Sequence, residues 1–275
     1  MSVLSLCSGY GGLELALNHV LNPGPVLAYC DNYKPARHIL KTHNPHTPVY
    51  DNVTHPALKH MRPNIITFGF PCQDLSRAGK QAGLNGPKSS LYYECMQVVE
   101  ATTPSLIVIE NVPQLTKYKT TIDNDLNTLG YTTSWATVQA CDAGLPHRRK
   151  RVFILAQTHN PGPIFTRQYT PPKPAQPTLP TPTVVDMGWG RTPTQWETWK
   201  QTQKTKHNNG NGHGRSLYQI AGEATLQVME HLMGLPNGYI TNQDLSEAAQ
   251  RRLLGNGVAP PQGALGIYTA LTQKQ

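Results

Sequence analysis

Short apolar runs separated by helix-patterned stretches constrain this chain more than any other feature. They fall at Val3–Cys7, Val26–Tyr29, Ile65–Phe68, Leu106–Ile109 and Val152–Ala156. Leu13, Leu15, Ala16 and Leu17 recur at helical spacing after the first run, and a second helical pattern covers Pro35 to Thr42. Runs this short and continuously apolar are those of strands buried on both faces, with helices as the crossovers that parallel strands need. The expected fold is therefore α/β, a doubly wound and mostly parallel sheet. Ligands of such sheets bind outside the carboxyl ends of the strands. Three segments begin where apolar runs end: Ser8–Gly12, Phe70–Gln73 and Glu110–Pro113.

This pattern stops near Gln157. From Pro161 to Pro193 the chain is rich in Pro and Thr, and proline removes backbone donors, so irregular or edge structure is expected. The stretch KQTQKTKHNNGNGHG, Lys200 to Gly214, reads as a flexible basic loop. Helical patterning returns near Leu226 and again near Gln262. The expected layout is an α/β domain at 1–157, a small inserted lobe at 158–224, and a segment at 225–275 that returns to the first domain.

The chain of 275 residues holds 24 Lys+Arg against 16 Asp+Glu, a formal charge of +8. That balance suits a polyanionic partner, because each neutralised phosphate releases counterions. The 5 cysteines are far apart and odd in number, which argues against a disulfide framework and a zinc site and for a reducing compartment. His43 and His46 read as surface or loop histidines without a metal partner. No stretch approaches a membrane span, and MSVLSLCSGYGG lacks the basic start of a secretory signal. A soluble cytoplasmic protein with no metal and no membrane partner is expected, with a monomer as its working state.

Each motif has a chemical and a bland reading. SGYGG, Ser8 to Gly12, lets the backbone pass close to a ligand beside a helix N-terminus, or is only a tight turn. Asp31, one βα unit later, can accept ribose hydroxyls or cap the next helix, and Asp51 is a further polar candidate for the same pocket. GFPCQ, Gly69 to Gln73, puts Cys72 at a strand end. A buried strand-end cysteine is usually inert. Here it leads into DLSRAGKQAGLNGPKSS, a polar loop with Arg77, Lys80 and Lys88 and with glycine hinges at Gly79, Gly83 and Gly86, as in a lid. ENV brings Glu110, an acid or base if burial raises its pKa, otherwise a cap. In PHRRKR, Arg149 and Arg151 are two apart and lie on one side of a strand, where they can hold a phosphate or base carbonyl. GNGVAPP at Gly255 to Pro261 reads as a turn opening the last helix.

Taken in order, LSLCSGYGG, FGFPCQDLSRAGKQAG, IENV, PHRRKR, HLMGLPNGY and LLGNGVAP resemble the cytosine-C5 DNA methyltransferase family over about 1–156 and 226–272. The resemblance implies an S-adenosylmethionine-dependent, Rossmann-like methyltransferase domain at 1–157 and a target-recognition lobe at 158–224. It implies methyl transfer to C5 of cytosine in double-stranded DNA, with base flipping. Carried over by position, Cys72 is the nucleophile that adds to C6 and Glu110 contacts N3 and the exocyclic amine. Arg149 and Arg151 support the flipped base and the cysteine. Cys7, Gly9, Gly11, Gly12, Asp31, Asn32, Asp51, Asn52, Phe70, Pro71, Leu91, Asn256 and Val258 fall at donor-pocket positions, and Gln73, Ser76, Arg77 and Lys80 face DNA. Relatives of this family serve restriction-modification systems, so a partner endonuclease is a matter left open.

The chain departs from the family pattern in three places. Cys7 and Asn32 stand where aromatic residues flank the adenine, which leaves Tyr10, Tyr29 or Tyr33 as substitutes, or a weaker hold on the donor. His147 stands where the basic motif has Gln, and the lobe is short. Two rival readings remain at this point: a tRNA cytosine-C5 methyltransferase, and a DNA-binding methyltransferase-like protein without activity.

Overall fold

The computed structural model describes residues 1–71, 91–158, 167–186, 188–207 and 215–273. Its core is a seven-stranded sheet. The strands are β1 (Val3–Leu6), β2 (Val26–Cys30), β3 (Val49–Tyr50), β4 (Ile65–Phe68), β5 (Leu106–Asn111), β6 (Tyr131–Gln139) and β7 (Lys150–Thr158), in the spatial order β3-β2-β1-β4-β5-β7-β6. The first five are mutually parallel, whereas β7 runs antiparallel to both β5 and β6. The chain starts in the middle and winds outward to both sides, so the strand order reverses at β1, where an open sheet offers its ligand crevice. The expected doubly wound sheet is present; β3, β6 and the reversal of β7 were not foreseen.

Helices cover both faces. On one, α3 (Pro56–Lys59), α4 (Leu91–Thr102) and α5 (Lys119–Thr128) send Leu58, Val98, Val99, Ile122 and Leu126 onto Leu4, Ile66 and Ile107. On the other, α1 (Gly12–Val20) and α10 (Pro260–Thr272) place Ala16, Leu17, Ala264 and Ile267 against Ile65, Val108 and Phe153. Neighbours along one strand thus go to opposite cores, which is why both residue parities of these strands are apolar. A side chain at Gly266 would overlap the Phe153 ring, so α10 lies directly on β7 and ties the C-terminal segment to the sheet. The remaining core joins α2 (Lys34–His43) to α8 (Thr225–Leu232) and α9 (Glu247–Asn256) through Ile39, Met229, Leu232 and Leu254. Leu217 of α7 (Leu217–Ala221) enters the same cluster.

The Pro- and Thr-rich residues 167–186 form no regular element. The expected basic loop is different. Lys200 to His207 are the second half of α6 (Pro193–His207), and 208–214 lie outside the described residues. Trp196 anchors that helix, 3% exposed and stacked on Trp199 with 4.9 Å between ring centres. One buried ring stacked on a half-buried one gives a polar segment the packing that its composition hides.

His43 is exposed, at the end of α2. It stacks on Tyr239 at 3.8 Å, and its Nε2 lies 2.8 Å from the Tyr239 carbonyl. No described helix is long and apolar enough to cross a membrane.

Candidate active site

Strand register places the candidate residues in one row. Leu6 pairs with Cys30 and with Phe68, Cys30 pairs with Tyr50, and Phe68 pairs with Ile109. The next residue on each parallel strand is therefore Asp51, Asp31, Cys7, Gly69 or Glu110, across the sheet. At about 4.8 Å per strand, Asp31 and Glu110 are roughly 14 Å apart at the carboxyl edge.

The corner around β1 and β2 is built from backbone. Gly9 and Gly11 have φ of 55° and 85°, the left-handed region that glycine enters without cost. A side chain built on Gly9 would meet nothing within 4 Å, so open space lies in front of the loop. Asp31 Oδ2 accepts from Gly9 N at 2.8 Å and Oδ1 from Tyr33 N at 2.8 Å. Burial pushes its pKa up, against those two N–H bonds and the nearby Arg37 and Arg252. Each oxygen still has a lone pair for a hydroxyl. An open glycine turn, a helix N-terminus and a carboxylate fit the nucleoside and charged tail of S-adenosylmethionine.

Gly12 does not face that space: a side chain there would overlap the Val258 carbonyl. It lets the turn pack against the α9–α10 connection, where Tyr10 Oη also donates to Val258 O at 2.6 Å. Tyr10 and Tyr29 are buried, 1% and 4% exposed, and so cannot offer a ring face to adenine. Of the three substitutes only Tyr33 is partly exposed, with the Arg252 guanidinium 4.3 Å from its ring centre. Cys7, at φ 50°, has its Sγ 4.0 Å from Cys95 Sγ, and both thiols are free.

Asn32, Asp51, Asn52 and Asn256 are exposed, and Asn52 Oδ1 is engaged by Thr54 N and Oγ1, both at 2.9 Å. Leu91 packs onto the edge of the core, Pro71 is exposed, and the Phe70 ring is buried 5.4 Å from Tyr92.

The corner around β4 and β5 is built from side chains. Glu110 is 7% exposed, and its Oε2 lies where a side chain on Gly69 would sit, 3.2 Å from that position. A larger residue at position 69 would press on the Glu110 carboxyl. Arg151 Nε pairs with Glu110 Oε1 at 3.0 Å. Burial raises the Glu110 pKa, while Arg151 and then Arg149 oppose it. Asn111, absent from the sequence-derived site, donates from Nδ2 to the Phe70 carbonyl at 3.0 Å. It holds the backbone two residues before Cys72. Cys72, Gln73, Ser76, Arg77 and Lys80 lie outside the described residues, as does the glycine-hinged loop.

Arg149 and Arg151 part company. Arg149, 2% exposed, donates to Gly255 O at 3.0 Å and Gly257 O at 2.6 Å. It clamps the GNG segment, which is the end of α9. Gln262 reinforces that clamp by donating to Val138 O and Arg149 O at 3.0 and 2.6 Å. His147 is fully buried, its pKa pushed down to about 4 by desolvation, and its Nε2 lies 2.8 Å from Leu232 O. The neutral ring straps the basic motif to α8. Among the described residues no group of three or more His, Cys, Asp or Glu could hold a metal ion.

The C-5 cytosine-specific DNA methylase model matches residues 1–210. The type II methyltransferase M2.BsuMI of Bacillus subtilis is 29% identical over 94% of this chain and 72% of its own length. M2.ScrFI of Lactococcus lactis is 38% identical, but over 38% of this chain and 31% of its own length. Among solved structures, the Entamoeba histolytica methyltransferase EhMeth superposes with a TM-score of 0.67 at 18% identity, covering 100% of this chain and 99% of its own. The Schizosaccharomyces pombe Dnmt2 methyltransferase does so at 0.66 and 16% identity, with 98% of each chain covered. At such identities the structures share the fold, and the family is carried by the sequence match. With that match over most of its length, the chain belongs to the C-5 cytosine-specific DNA methylase family.

Proposed function

We propose that this enzyme transfers a methyl group from S-adenosylmethionine to C5 of cytosine in double-stranded DNA, with Cys72 as nucleophile and Glu110 as its acid partner. One observation carries the reading: Asp31, Cys7, Gly69 and Glu110 stand in one row, with an open glycine turn at one end and a buried, Arg-paired acid at the other. Bound at the turn, S-adenosylmethionine supplies an electrophilic methyl group. Gly9 opens onto the space that admits it, Gly11 supplies the left-handed turn behind it, and Asp31 accepts its ribose hydroxyls.

Cytosine C5 is too poor a nucleophile to take a methyl group unaided. Addition of the Cys72 thiolate at C6 pushes electron density to C5. Glu110, held toward its neutral form by burial, donates a hydrogen bond or proton at N3, where negative charge develops. Carbon C5 then takes the methyl group. Loss of the C5 proton restores the ring and expels the Cys72 sulfur, so covalent catalysis splits one hard step into easier ones. Arg151 orients Glu110, while Arg149 acts through the Gly255 and Gly257 carbonyls to fix the Val258 side of the donor pocket. The base reaches this edge only by leaving the duplex.

Residues 158–224 serve as the target-recognition lobe, and α6 presents Lys200, Lys204 and Lys206 on it. Methyl transfer to duplex DNA and tRNA, assayed side by side, tests the substrate, and bisulfite mapping of DNA from expressing cells gives the site. Methylation of duplex DNA alone is expected; transfer to tRNA alone overturns the DNA reading.

A further inference from the structure

Glu14 is an acid where the fold asks for an apolar residue. It sits in the first turn of α1, 6% exposed, between Ser5 of β1 and Thr67 of β4. The Thr67 hydroxyl donates to Glu14 Oε1, and the Ser5 hydroxyl lies against the same carboxyl. Oε2 is buried with no hydrogen-bond partner among the described residues. Burial raises the Glu14 pKa, and a neutral carboxyl carries a proton of its own to donate.

On its far side Ser5 is hydrogen-bonded toward the turn. Ser5 Oγ donates to Ser8 Oγ at 2.8 Å, and Ser8 Oγ receives Cys30 N at 3.1 Å. The line therefore begins on β4, two residues before Gly69, crosses α1 and β1, enters the glycine turn at Ser8 and ends beside Asp31. Thr67 precedes Cys72 by five positions. A leucine at position 14 would pack without the cost of burying a polar group, so packing alone does not account for the acid.

We propose that Glu14 is a positioning residue for the methyl-donor pocket: it joins the strand that leads to Cys72 to the turn and the acid that hold the donor. This rests on the functional reading above and assigns a role to a residue outside the reacting groups. Glu14 touches neither donor nor base in this scheme. It acts through Ser5 and Ser8 on Gly9 and Asp31, and through Thr67 on β4.

The test is calorimetric titration of the full chain with S-adenosylmethionine and with its demethylated product, alongside steady-state rates and thermal melting. Glu14→Met, which keeps the bulk and removes the hydrogen bonds, should weaken donor binding about tenfold, the loss of one to two neutral hydrogen bonds. KM for the donor should rise more than kcat falls. Glu14→Gln, which can both donate and accept, should restore wild-type affinity. Thr67→Val should move affinity in the same direction as Glu14→Met, and it carries the test if that variant does not fold. Unchanged donor affinity in both Glu14→Met and Thr67→Val, with only the melting temperature moved, overturns the proposal, as does a Glu14→Gln as impaired as Glu14→Met. A wild-type chain that binds neither compound would instead sink the functional reading beneath it.

Discussion

Asp31 and Glu110 stand in one row of residues, three strands apart, and are held by opposite means. Backbone N–H groups of Gly9 and Tyr33 grip Asp31, both from segments next to it in space and one only two residues away in sequence. A guanidinium 41 residues further on faces Glu110, on a strand that runs the other way. Backbone donors hold the Asp31 carboxyl directly, with Arg37 and Arg252 only nearby, which suits the acceptor of ribose hydroxyls proposed for it. The ion pair to Arg151, with Arg149 also nearby, opposes the burial of Glu110 and leaves its proton affinity adjustable, which suits the acid role proposed for it. On the proposed reading the two corners divide the work: one binds the donor, the other reacts.

That division predicts which kinetic constant each substitution moves. The largest effect belongs to the reacting corner. Cys72→Ala should lower turnover by at least about a thousandfold and leave donor affinity unchanged in calorimetry. Glu110→Gln should cost about a hundredfold or more in kcat with little change in donor KM. At the binding corner the pattern reverses. Asp31→Asn should weaken the donor about tenfold and lower kcat at saturating donor far less. If Asp31→Asn and Glu110→Gln give the same split between KM and kcat, the two corners are not separate.

The smaller effects concern pH. Because Arg151 opposes the burial that raises the Glu110 pKa, Arg151→Met should raise that pKa further. If neutral Glu110 is the working form, activity falls as pH rises through its pKa, and that alkaline limb should move to higher pH in Arg151→Met. A limb that stays put would assign it to another group. Stability carries the same sign. A carboxyl whose folded pKa lies above its unfolded value contributes fully below the unfolded pKa and loses that contribution as pH rises through the folded one. Glu110→Gln should therefore flatten the decline in melting temperature on the alkaline side of the carboxylate range, and thermal melts across pH read it directly.

The local corner was the legible one. Val3–Cys7 and Val26–Tyr29 end on SGYGG and Asp31, and short-range geometry does the rest. The reacting corner was half legible. Glu110 stood out at the end of a buried run, yet the direction of β7 did not, because an apolar run has the same pattern in either direction. The strand that reveals it, β6, reads YTTSWATVQ, half-buried and Thr-rich, and lacks the signal that buried strands give. The strand-to-strand link at residues 140–149 is too short for a parallel crossover, so recognising β6 would have set the reversal of β7. The separate fates of Arg149 and Arg151 were equally hidden. Alternation puts both on one side of the strand but says nothing of a helix end arriving more than a hundred residues later. Glu14 escaped for a related reason: on a helical pattern an acid reads as solvent-facing, and only the packing of α1 on β1 and β4 buries it.

The central claim is that Cys72 bonds to C6 of a cytosine at this edge. A duplex carrying 5-fluorocytosine at the mapped site tests it most directly, since fluorine replaces the C5 proton whose loss would expel the sulfur. Incubation with S-adenosylmethionine should leave the chain covalently joined to DNA, and peptide mass spectrometry should place the bond on Cys72. Linkage through another residue, or efficient methylation of normal duplex with no trapped adduct on the fluorinated one, would contradict the account.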